Sequence, residues 1–88
     1  PLEQLDDTNN FYQDGEVVEM ARMESLLHQC DETDHLIIKC LTQNLPYAEI
    51  ADHCFISETA AKYRVKKMES ICGVTSRSKL IAMLKKYF

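Results

Sequence analysis

Lys62, Lys66 and Lys67 lie close together in the chain, with Thr59 and Tyr63 among them. Steps of three and four residues bring such side chains onto one side of a helix. An ammonium group there can pair with phosphate or with the acceptor atoms of guanine, and a tyrosine can pack on an apolar edge or bond through its hydroxyl. The other reactive residues do not converge. His28, His35 and His53 are scattered, and Cys30, Cys40, Cys54 and Cys72 stand far apart with no C-x-x-C pair. A zinc site is therefore not expected. No Ser or Cys has the setting of an activated nucleophile, and no glycine-rich phosphate loop appears. The expectation is no enzyme, no metal and no cofactor, with the cysteines packing as reduced, small hydrophobes.

The elements that must position the lysines follow from the apolar spacing. Ala61, Val65, Met68 and Cys72 fall within an arc of about 60° on a helix over residues 58–72. Thr59, Lys62, Tyr63, Lys66 and Ser70 take the opposite side, with Lys67 beside them. Ser57 suits the N-cap of that helix and Gly73 its end. A short helix from Pro46 to about residue 53 precedes it, with Ile50 and Ala51 facing inward and Pro46 in the first turn, where no N–H is needed. Asp31 begins an earlier helix that would bury Leu36, Ile37, Cys40 and Leu41, with Asn44 at its left-handed end. Ser76 caps a last helix, closed onto the bundle by Leu80, Met83, Leu84 and Tyr87. Residues 1–15 read as a polar linker, and residues 16–28 as a helix with no single apolar face.

Composition agrees with an all-α fold. The 88 residues hold two glycines and two prolines, and their formal charge of −4 is unevenly spread. Residues 1–35 contain ten acids and one arginine, whereas residues 36–88 contain four acids and nine lysines or arginines. A local basic field matters more for nucleic-acid binding than the total charge. No apolar run reaches the roughly 18 residues of a membrane span. With Pro1 in place of an initiating methionine, the chain is expected to be a fragment of a longer protein, and a cytoplasmic location is expected.

A short helix, a tight turn and a longer helix with a basic outer side make a helix-turn-helix arrangement. A basic helix face is often only solvated surface, so the pattern alone leaves both readings open. The residues from Cys30 to Met83 go further. Glu49-Ile50-Ala51, Phe55-Ile56-Ser57-Glu58, Lys62, Gly73-Val74, Ser76-Arg77 and Leu80-Ile81-Ala82 stand at ungapped spacing. This pattern resembles the LuxR-type (GerE-like) domain of bacterial transcription regulators. It departs where Ala60-Ala61 replaces a usual Thr-Val, where Arg64 takes a frequent histidine position, and at Cys54, Ile71, Cys72 and Lys79.

The resemblance implies a compact four-helix bundle over residues 30–88, with residues 1–29 an acidic linker and extra helix. It implies that the helix over residues 58–72 reads double-stranded DNA. Base contacts fall on Lys62, Tyr63 and Lys66, with Lys67 at a phosphate or flanking base and Thr59 on the same face. Pro46 and Tyr47 stand at the start of the short helix, where backbone N–H groups meet a phosphate. Arg77 either anchors the DNA backbone or holds helix ends together. A homodimer on DNA would pair through Ile81, Leu84 and Phe88 of the last helix. A receiver or ligand-binding domain is the expected missing partner, as in a response regulator. The alternative is a protein-interaction module on the same frame that does not bind DNA.

Overall fold

The computed structural model describes residues 11–88 and contains five helices and no strand among them. They are α1 (Phe11–Gln29), α2 (Glu32–Thr42), α3 (Tyr47–Cys54), α4 (Glu58–Cys72) and α5 (Arg77–Tyr87). Helices α2 to α5 pack on one another as a four-helix body, and α1 lies against α4. None of the described helices is long and apolar enough to cross a membrane.

Local chemistry sets most of the boundaries. At the start of α2, Asp34 N–H donates to Asp31 Oδ1 at 2.9 Å and Asp31 N–H donates to Asp34 Oδ2 at 3.2 Å. This capping box satisfies two backbone donors that a helix start leaves without partners. Ser57 accepts from Ala60 N–H at 3.0 Å and Ser76 from Lys79 N–H at 3.2 Å, fixing the starts of α4 and α5. Pro46 sits one step earlier than its expected first-turn place. It is the N-cap of α3, with φ −70° and ψ 162°, and its carbonyl accepts from both Glu49 and Ile50 N–H.

Three helices end alike. Leu45 N–H reaches Cys40 O, Ile56 N–H reaches Ala51 O and Val74 N–H reaches Glu69 O, each bond closing over a left-handed residue. Those residues are Asn44 (φ 60°), Phe55 (φ 57°) and Gly73 (φ 70°). Glycine and asparagine are the usual occupants of this position. Phe55 is not, and its ring is 94% exposed at the turn between α3 and α4.

The core centres on Ile37, Leu41, Ile50, Val65, Cys72, Leu80 and Leu84, all fully buried. The expected stripe of α4 is buried throughout: Ala61, Val65, Met68 and Cys72. In α2 one expectation fails. Leu36 is 48% exposed, and Ile38 is buried in its stead. With about 100° per residue, Ile37 and Leu41 define the inward direction, and Leu36 points about 120° away from the centre of the buried set. Leu84 is also fully buried, so it has no surface to offer the dimer contact expected of it. Ile81 packs half-buried against the core, and of the three only Phe88 stands clearly exposed.

Helix α1 begins at Phe11 rather than at residue 16 and runs through Gly15. Residues 11–15 are therefore helical, not linker; the rest of the expected linker, residues 1–10, lies outside the described residues. A glycine in a helix costs only about 1 kcal/mol, too little to stop a helix that is anchored further on. The anchor is Met23 and Leu26, which join the same apolar cluster as the four-helix body. Glu19 adds a polar tie, since Lys86 Nζ and Tyr87 Oη both donate to its Oε1, at 2.9 and 2.8 Å. These two donors hold the Glu19 carboxyl below its ordinary range. Val17, Val18, Met20 and Leu27 remain exposed on α1.

Candidate nucleic-acid interface

With its apolar stripe against the core, α4 turns Thr59, Lys62, Tyr63, Lys66 and Lys67 outward, and all five are exposed. Tyr63 is 70% exposed, so its ring and hydroxyl are both open to a partner. Ser57, which caps the helix, sits at the end of the turn from α3, and so the turn sets where this face begins. The five expected contact residues on α4 are thus brought together.

The two flanks of the face are built differently. On one flank Lys62 Nζ lies 5.7 Å from the centroid of the Tyr47 ring. Tyr47 is the first residue of α3, half-buried and packed against the core. The Arg77 guanidinium lies 4.6 Å from the same ring, and its Nη2 donates to the carbonyl of Leu45. Arg77 therefore ties the start of α5 to the turn before α3, the contact that the holding reading expects. Pro46 is exposed beside this cluster, and no side chain caps the first N–H groups of α3. Those amides face the end of the helix where an anion is favoured.

On the other flank Arg64 turns back from the face. Its Nη1 donates to Asp31 Oδ1 at 3.1 Å, to Asp31 Oδ2 at 3.2 Å and to Asp34 Oδ1 at 2.9 Å. The backbone N–H of Asp34 and then the Arg64 guanidinium hold the Asp31 carboxyl below its usual value. The two carboxylates push the Arg64 value up in turn. A shallow concavity opens here, lined by Gln29, Asp31, Asp34, Thr59, Tyr63 and Lys67. The clamp was not foreseen. The acids and Arg64 are thirty or more residues apart, and only the packing of α2 on α4 joins them. Two acids of the negative first third thus serve the scaffold.

The cysteines sit apart from this face. Cys40, Cys54 and Cys72 are buried and Cys30 is half-buried. Burial, with Asp34 and Asp31 nearby, pushes the Cys30 thiol up to about 11. Burial raises Cys54 and Cys72 as well. Thiols so shifted are poor nucleophiles near neutral pH. No group of three His, Cys, Asp or Glu side chains among the described residues is placed to hold a metal ion.

Residues 31–69 match the family model described as the AsnC-type helix-turn-helix domain. The match runs from the capping box of α2 through most of α4, and so includes the basic face and Tyr47 but not Arg77 or the rest of α5. No curated protein and no solved structure matches the chain.

Proposed function

We propose that the helix-turn-helix domain of this chain, of the kind found in DNA-binding transcription regulators, reads a promoter by laying α4 in the major groove, with Lys62, Tyr63 and Lys66 at base edges and Lys67 at a phosphate. The observation that carries the reading is the row of exposed cations on the side of α4 opposite a fully buried apolar stripe. A major groove about 12 Å wide admits such a helix, and counterion release from neutralised phosphates supplies affinity.

The finer assignment, a LuxR-type domain of a response regulator, rests on the residue pattern from Glu49 to Ala82. The fourth helix of the bundle, packed through Leu80 and Leu84, supports it. Pairing on DNA belongs to the same reading and would use Phe88 and the edge of Ile81. The test is selection of a site from a random duplex pool, followed by titration of the chain on that site at two salt concentrations. Enrichment of one sequence, with affinity that falls steeply as salt rises, supports the reading. A chain that binds no duplex at low salt refutes it. That outcome favours a protein-interaction module, a second reading supported by the exposed Val17, Met20 and Leu27 of α1.

A further inference from the structure

We propose that the ring of Tyr47 is a specificity-determining element: it holds Lys62 in its reading position before DNA arrives. The inference rests on the DNA-reading role of α4 and goes beyond the backbone phosphate contact expected at residue 47. Lys62 has no ion pair or hydrogen bond among the described residues, and its ammonium lies 5.7 Å from the Tyr47 ring centroid. A lysine on a flexible stem loses much rotamer freedom when a base fixes it. An aromatic face within about 6 Å of the charge restricts the stem beforehand without masking the ammonium donors. Preorganisation of this kind favours the bound geometry over its competitors.

The ring is itself held. It belongs to the first residue of α3 and packs against the core, while Arg77, 4.6 Å from its centroid, is moored to the Leu45 carbonyl. Three helix starts or early turns, those of α3, α4 and α5, thus meet at one tyrosine. Two cations that would repel each other share the negative face potential of one ring. Lys66 and Lys67 have no such aromatic neighbour among the described contacts. Tyr47 therefore acts through Lys62 as a positioning residue and sets how sharply that lysine discriminates.

The experiment compares the parent chain with Tyr47→Phe and Tyr47→Leu, using the selected duplex and its single-base variants. A second readout is the proton shift of the Lys62 Cε methylene in the free protein, which a nearby ring moves upfield. Tyr47→Phe keeps both the shift and the discrimination. Tyr47→Leu returns the methylene to its ordinary position and lowers the ratio of selected to variant affinity about twofold to fivefold, the size of one exposed cation–π contact. The salt dependence stays unchanged, because no charge is removed. Three results overturn the proposal alone: an ordinary methylene shift in the parent, a folded Tyr47→Leu chain that discriminates as the parent does, or loss of discrimination in Tyr47→Phe. A parent chain that selects no sequence overturns the reading of function and this proposal with it.

Discussion

The flank of α4 that meets Tyr47 and the flank that meets Asp31 both present a cation, but they employ it in opposite ways. Lys62 rests beside a ring and keeps its ammonium exposed. Arg64 is drawn into three charge-assisted hydrogen bonds with two carboxylates. An aromatic neighbour orients a cation and leaves its charge available, whereas a carboxylate neighbour orients it and cancels the charge. The partner, rather than the basic residue, decides whether a helix cation serves the surface or the scaffold. The count of basic residues on the second half of the chain therefore overstates the cations open to DNA.

The sharpest way to break this contrast is to truncate each cation in turn. Lys62→Ala should cost about 1–3 kcal/mol of binding to a selected site and relax preference at one base pair. Its unfolding midpoint should stay near that of the parent, since no folded-state ion pair is lost. Arg64→Ala should do the reverse, leaving DNA affinity within about twofold while lowering stability by about 0.5–1 kcal/mol, as expected for a partly exposed ion pair. Denaturant unfolding and DNA titration on both variants check the pair. Equal losses of DNA affinity would show that the flanks do not differ in employment.

Lys67 sharpens the contrast from the outer edge, since it shares the concavity with Asp31 and Asp34 yet forms no pair with them. Lys67→Ala should weaken all duplexes alike and reduce the salt slope by about 1. A change confined to one sequence would instead place Lys67 at a base.

The smallest effect lies in acid. Asp31 has a folded value below its unfolded one, so its contribution to stability is complete above the ordinary carboxylate range, about pH 4. That contribution is lost as pH falls through the lower folded value. Asp31→Asn should flatten the loss of stability below about pH 4, followed by helix content across an acid titration. A variant that follows the parent curve would remove Asp31 from the clamp.

Much of this frame is legible in the sequence because it depends on near neighbours. Ser57, Ser76 and Asp31 cap helices through bonds three residues along, and Gly73 and Asn44 take left-handed positions for steric reasons of their own. The stripe of α4 follows from a simple angular count. What escaped depends on distant partners. Leu36 and Ile38 are equally apolar, and only the packing of α2 decides which faces in. Leu84 reads both as part of the stripe that closes the bundle and as a dimer contact, and only its full burial decides for the first. The basic face could be named residue by residue, but the ring and carboxylates that divide its labour come from the starts of α3 and α2. Phe55 broke the cap rule outright, because no local signal places a phenylalanine in a glycine's conformation.

Arg22 gives α1 a hold on the reading helix. Its guanidinium donates to the carbonyl of Cys72 at 3.5 Å, and a Cβ at Gly73 would collide with it. A cation there offsets the negative end of the α4 dipole. Local opening of α1 would strip that end of its counter-charge and of the Met23 and Leu26 contacts together, so the two helices share part of one opening equilibrium. By reciprocity, whatever steadies α4 also steadies α1. DNA bound at Lys62 should therefore slow amide hydrogen exchange in the second half of α1.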